Sequence, residues 1–213
     1  RKTGKGQHIE VSQMESTASI LETAILDYTA NGRVRGRVGN RLPNAAPHGA
    51  YRCRGEDRWC VIAVFTDEEW RAFCRVIGNP PWTKEDRFAT LLARKQNEDE
   101  LDRLVEEWTK ERTPEEVMVL MQREGVPAGV VQNAEDMLLR DPQLRAREHY
   151  VYLDHAEAGR TAYDGVPFKL SATPGRPLSA APLLGEHNDY VYREILGMSE
   201  EEANEYIVEG VFA

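Results

Sequence analysis

Apolar residues change their period twice within the first fifty positions. Ile9 and Val11 alternate with polar neighbours behind Gly4 and Gly6, which predicts a loop running into a strand. Ile20, Leu21, Ala24, Ile25 and Tyr28 then recur at helical spacing, with Ser12 placed to cap the helix and Asn31-Gly32 as a left-handed exit. From 32 to 49 the stretch GRVRGRVGNRLPNAAPHG has no period and is rich in Gly, Pro and Asn, so it reads as a linker.

A second section starts at Ala50. AYRCRGEDRWCVIAV predicts two strands joined by a turn at Gly55-Glu56-Asp57, with Trp59, Val61 and Ala63 alternating. Three helix starts follow, each a hydroxyl with an acid three residues on: Thr66 and Glu69, Thr83 and Asp86, Thr113-Pro114 and Glu116. Leu101, Leu104, Val105 and Trp108 trace one apolar helical face, and Val117, Leu120 and Met121 another. A core of Trp59, Val61, Trp70, Phe73, Leu104 and Trp108 is expected. GVPAGVV at 125–131 ends the helix in a short extended segment, and helical pieces carry Met137-Leu138 and DPQLRARE.

From about residue 149 the pattern is strand-like and turn-rich, in YVYLDH and TAYDGVPFKL, and then helical. Val191, Ile195 and Leu196 form one apolar face, Ala203, Tyr206 and Ile207 another, and Ser199 with Glu202 offers a cap. Helices and strands that are partly segregated predict an α+β fold, with an α/β remnant at the front.

Composition narrows the class of protein. At 213 residues, with 41% hydrophobic and 30% charged positions, the chain resembles ordinary globular proteins. A formal charge of −9 argues against a general nucleic-acid binder, since a polyanion needs a basic footprint. No apolar run reaches the length of a membrane span, and no membrane association is expected. Cys53, Cys60 and Cys74 lack paired CxxC spacing and read as free thiols in a reducing cytoplasm. The five histidines form no HxxxH or HxH pair, so no metal centre is expected.

Five stretches in order resemble the class III CoA-transferase family, the carnitine-dehydratase and bile-acid-inducible F group. They are Gly4, Gly6, Gln7, Ile9, Glu10, Val11 and Ser12; Gly39, Asn40, Pro43, Pro47, Gly49 and Tyr51 leading into GEDRWCVIAV; GVPAGVV; DPQLRAR at 141–147; and the tail 185–199. The resemblance implies a small α+β domain over 40–175. Residues 1–39 would end the first part of a Rossmann-like large domain, to which 176–213 would return.

It also implies transfer of CoA between carboxylic acids through an aspartyl acyl-enzyme, with a CoA thioester as substrate and no covalently bound cofactor. A homodimeric parent is expected. The family's catalytic aspartate would lie ahead of Arg1, so this chain would be the later part of a larger enzyme and inactive alone. Asp27, Asp57 and Asp67 sit in other motifs, and no catalytic residue is assigned. An acyl-CoA racemase portion or a non-catalytic assembly module is the alternative.

By this resemblance the segment Asn44-Ala45-Ala46-Pro47-His48-Gly49 would line the thioester centre, where matching loops can be glycine-rich; it also reads as an ordinary interdomain turn. His48 is either a proton carrier or a structural loop histidine. Gln13 either faces the active site or is simply polar in a first helical turn. Arg33, Arg35 and Arg37, with Arg41 beyond them, suit the phosphates of CoA, because guanidinium pairs well with phosphate; the same residues read otherwise as solvated linker charges or subunit contacts.

Overall fold

Ser12 turns the chain into its first helix in the computed structural model, which describes residues 3–211. Its hydroxyl accepts a bond from the Glu15 amide (3.3 Å) and opens α1 (Gln13–Ser19). The pattern up to Asn31 forms two helices rather than one. The break falls at Ile20-Leu21, and α2 (Glu22–Asn31) ends on Gly32, whose φ of 67° lets its amide return to the Tyr28 carbonyl. The strand expected at Ile9 and Val11 is absent. A strand needs a ladder partner, none of the described residues pairs with this segment, and both side chains stand about 70% exposed. No residue from 3 to 38 is buried.

The chain divides into two units, one ending at Val131 and the other beginning at Gln132. In the first, β1 (His48–Arg52), β2 (Trp59–Ala63) and β3 (Ala128–Val131) form an antiparallel sheet in that order. Tyr51 stands opposite Cys60, and Cys60 opposite Val130. Gly55 and Asp57, at φ of 118° and 49°, make the β1–β2 turn where the sequence places it.

The packed face of β2 carries Cys60 and Ile62, whereas Val61 is 43% exposed, contrary to the expected alternation. Both faces of WCVIA are apolar, so period 2 alone cannot choose between them. The helices that cover the sheet decide.

These helices are α3 (Asp67–Val76), α4 (Leu91–Gln96), α5 (Glu98–Thr109) and α6 (Pro114–Arg123). Full capping boxes form at Thr66 with Glu69 and at Thr113 with Glu116, as their spacing predicts. Thr83 caps nothing. Two 3₁₀ turns span Pro81–Lys84 and Asp86–Phe88, and the Thr83 hydroxyl donates back to the Pro80 carbonyl (2.7 Å). Thr90 is the cap instead, on the Ala93 amide that opens α4. Trp70, Phe73, Phe88, Leu101, Val105, Val117 and Met121 fill the core with Tyr51, Ile62 and Val64. Leu104 and Trp108 pack partly buried at its edge, and Leu120 is exposed.

The second unit starts with a π-helical turn (Asp136–Arg140) and α7 (Pro142–Ala146), capped by Asp141 on the Leu144 amide. A hairpin of β4 (Tyr150–His155) and β5 (Gly159–Asp164) follows. A π-helical turn (Tyr190–Ile195) and α8 (Glu200–Val208) come last, the latter with the Ser199–Glu202 capping box. The fold is α+β. No helix among the described residues is long and apolar enough to cross a membrane.

Candidate functional site

The linker enters the sheet through one interlocked set of polar residues. The Arg41 guanidinium donates to Asp99 and to Asp102, each at 2.7 Å, and lies 3.7 Å from Glu98. Asp102 accepts a second bond from the Tyr51 hydroxyl (2.8 Å), whose ring is buried. The hydrogen bonds that Arg41 donates to Asp102 and then to Asp99 raise its pKa. Burial first, and the Asp102 charge second, raise that of Tyr51, so its hydroxyl stays a proton donor. Gly49 lies two residues away on the same face of β1. A Cβ there would stand 3.1 Å from the Tyr51 hydroxyl oxygen. The spacing Gly-x-Tyr is therefore a packing requirement of this junction.

His48 is held from the other side. Its Nδ1 meets the Asn40 carbonyl at 2.5 Å, and a carbonyl only accepts, so Nδ1 is the donor of this bond. The ring packs edge-on to Phe65, centroids 5.7 Å apart. His48, Gly49, Asn40, Arg41, Tyr51 and Asp102 border a small cavity of about 230 Å³. Beside it a cleft of about 550 Å³ is bordered by Arg33, Arg35, Arg41 and Lys95, with Asp27 and Glu98 facing them and Val38, Leu42 and Pro43 as apolar wall. Asp27 lies 3.6 Å from Arg33 and 3.8 Å from Arg35.

The structure thus brings Arg33, Arg35 and Arg41 to one cleft and places Arg37 outside its lining, exposed. Gln13 is exposed in the first turn of α1 and borders neither cavity. Asn44 is exposed, while Ala45 and Ala46 are completely buried. The Ala46 amide donates to the Val64 carbonyl (3.1 Å), and the Val64 amide to the Pro47 carbonyl (2.9 Å). The segment 45–47 is therefore stitched to the sheet.

Below it lies a residue that sequence reasoning missed. Arg94, 1% exposed, donates to the carbonyls of Ala46 (2.9 Å) and Phe88 (3.3 Å) and reaches Asp67 (3.4 Å). Its guanidinium lies 4.6 Å over the Trp70 ring. Burial lowers its pKa, opposed by the bond to Asp67. The available signal was a cation seven residues before Leu101, on the stripe that α4 and α5 turn to the core. Asp102 was missed for a similar reason, as one acid in an acidic helix. Cys53, Cys60 and Cys74 are free and buried, and desolvation raises all three thiol pKa values, that of Cys74 to about 11.

The sequence profile of CoA-transferase family III matches residues 1–188. A succinyl-CoA–D-citramalate CoA-transferase of Chloroflexus aurantiacus is 33% identical over 202 residues, covering 95% of this chain and 50% of that protein. A formyl-CoA:oxalate CoA-transferase of Bradyrhizobium diazoefficiens is 27% identical over 231 residues, covering 99% and 54%. Among solved structures, a CAIB/BAIF family protein from Brucella suis superposes with a TM-score of 0.74 at 30% identity, over 91% of this chain and 49% of that one. The chain spans about half the length of these relatives.

Proposed function

Since the chain belongs to CoA-transferase family III, we propose that it is a portion of an enzyme that moves CoA between carboxylic acids. The reaction would run through an aspartyl acyl-enzyme whose carboxylate lies outside residues 1–213. That carboxylate attacks the thioester carbonyl and expels CoA thiolate. The thiolate then attacks the aspartyl carbonyl of the resulting mixed anhydride, which releases the donor acid and leaves an enzyme thioester. The acceptor carboxylate attacks that thioester to form a second anhydride, and the expelled thiolate takes the acceptor acyl group and frees the aspartate. In this reading the cleft of Arg33, Arg35 and Arg41 meets phosphates of the coenzyme, and the segment 44–49, which includes His48, edges the reacting carbonyl. Residues 40–175 serve as the small domain, and 1–39 and 176–213 belong to the large one. The parent is a cytoplasmic homodimer acting on acyl-CoA and carboxylate substrates.

The observation that carries this reading is the pattern of coverage. Relatives named as CoA-transferases run along nearly the whole chain, while the chain accounts for about half of each of them. The exposed apolar side chains of α1 and α2, among them Met14, Ile20, Ile25 and Leu26, support a cover supplied by another part of the parent.

The test incubates purified 1–213 with succinyl-CoA and a panel of carboxylates, followed by thioester chromatography and hydroxylamine trapping. No turnover and no adduct are expected from the chain alone. Turnover should appear when a longer chain that supplies the aspartate is used. A trapped acyl group on a carboxylate of 1–213 would overturn the assignment.

A further inference from the structure

A second cavity, of about 810 Å³, lies wholly within the unit that begins at Gln132. Its floor is the β4–β5 hairpin, and its wall is the segment that follows β5. That wall is anchored at several points. The Gly165 amide donates to the His149 carbonyl (2.6 Å), and a Cβ at Gly165 would stand 2.6 Å from the same oxygen, so only glycine permits the approach. Arg147 donates to the Pro167 carbonyl (3.1 Å), and the Ala181 amide to the Tyr163 hydroxyl (3.2 Å). Gly175 closes on Val166, which a Cβ would meet at 3.1 Å.

Arg160, Lys169 and Arg176 border this cavity, with Glu148 as its single carboxylate. None of the three cations has a carboxylate partner among the described residues, in a protein whose formal charge is −9 and whose other unit pairs most of its arginines. Arg160 lies 5.6 Å over the Tyr152 ring instead of pairing with Asp154 opposite it in the ladder. Tyr150 and Tyr152, on one face of β4, border the same space, and Tyr152 is 44% exposed. The volume is in the range that encloses an organic ligand and is far larger than one inorganic anion needs.

We propose that this cavity binds a nucleoside phosphate, with the phosphates on Arg160, Lys169 and Arg176 and the base against the tyrosine rings. Guanidinium groups match phosphate oxygens with two parallel donors, and an exposed tyrosine face accepts a planar base by stacking. The one lining carboxylate leaves two net positive charges, enough to favour a di- or trianion over a neutral nucleoside. Because the cations are at the rim and hydrated, binding should weaken steeply as salt rises. The site shares no lining residue with the Arg33–Arg41 cleft. Free nucleotide and the nucleotide end of a coenzyme share this chemistry.

Calorimetry on the 1–213 chain with ATP, ADP, CoA, adenosine and pyrophosphate tests it. ATP or ADP is expected to bind at least tenfold more tightly than adenosine and than pyrophosphate. Lys169→Glu with Arg176→Glu should weaken nucleotide binding at least tenfold, whereas Arg71→Glu with Arg123→Glu, the same charge change at exposed helix positions, should leave it within twofold. Amide shifts on titration should centre on 150–152 and 165–177, which reports the site even if a variant folds poorly. Shifts at 165–177 that saturate tenfold more tightly with CoA than with ATP identify the coenzyme as the source, and equal saturation there identifies free nucleotide. No binding at millimolar nucleotide, pyrophosphate binding as tight as ADP, or shifts confined to residues 27–43 would overturn the proposal.

Discussion

Arg94→Met removes one side chain and unfastens the segment that carries His48. The guanidinium is 1% exposed and makes three hydrogen bonds, to Ala46, Phe88 and Asp67, and it lies over Trp70. Methionine fills much of the same volume but donates nothing. Two buried carbonyls then lose a donor, at about 1–3 kcal/mol each. A desolvated cation–π contact of up to about 2 kcal/mol goes as well. Against these stands the relief of a buried charge, which returns several kcal/mol.

The balance is a net loss of about 3 kcal/mol, a large share of a stability of about 5–15 kcal/mol. Arg94→Lys should fall between, since an ammonium keeps the charge but cannot span both carbonyls. All four tryptophans (59, 70, 82 and 108) lie in the unit ending at Val131, so urea unfolding followed by tryptophan fluorescence reads that unit alone. A midpoint for Arg94→Met that stays within about 0.5 kcal/mol of the parent protein would refute the claim that Arg94 fastens Ala46.

Gly49→Ala pushes a methyl to 3.1 Å from a hydroxyl pinned by Asp102, and should cost about 1–3 kcal/mol. The Tyr51 ring carbon Cζ would stand only 3.2 Å away as well, so the cost should shrink in a Tyr51→Ala background, and a double-mutant cycle with strictly additive effects would show that the two do not touch. Thr90→Ala should cost about 1 kcal/mol by removing a helix cap, whereas Thr83→Ala, whose hydroxyl donates to the Pro80 carbonyl and caps no helix, should cost less; equal losses in urea melts would contradict the assignment of the cap.

The Cys74 thiol has an ordinary value of 9.0 and is held up to about 11 by burial. Between these values the unfolded chain has released its proton and the folded chain has not. Stability should therefore fall as pH rises from about 9 towards 11, by at most about 1.4 kcal/mol per pH unit for this thiol. Flat stability across that range, or rapid thiol labelling of the folded protein at pH 8, would be inconsistent with it.

Local chemistry was legible wherever the deciding atoms are close in sequence. The capping boxes at Thr66, Thr113 and Ser199 need only a hydroxyl and a glutamate three residues apart, and all three form. The exit at Gly32 and the β1–β2 turn need only a residue that tolerates positive φ, and both stand where the sequence places them. Thr83 failed by the same standard. Its spacing matches a cap, but Pro80-Pro81 and the packing of Phe88 turn that stretch into 3₁₀ turns, and Thr90 takes the role.

Choices between equivalent faces and distant partners were not legible. β2 is apolar on both sides, so only the helices laid across it select Cys60 and Ile62 over Val61. The segment 7–11 has the alternation of a strand, yet alternation supplies no hydrogen-bond partner. Family resemblance picked out Gly49 and Tyr51 but not what they bind. Asp102 is fifty-one residues beyond Tyr51, and Arg94 is forty-eight beyond Ala46. Sequence by itself determined which residues turn, cap and alternate, because those preferences are set within one or two helical turns. Tertiary structure alone decided which acid meets Arg41 and which cation lies under Ala46, because burial leaves a polar group only the partners that packing brings within 3 Å.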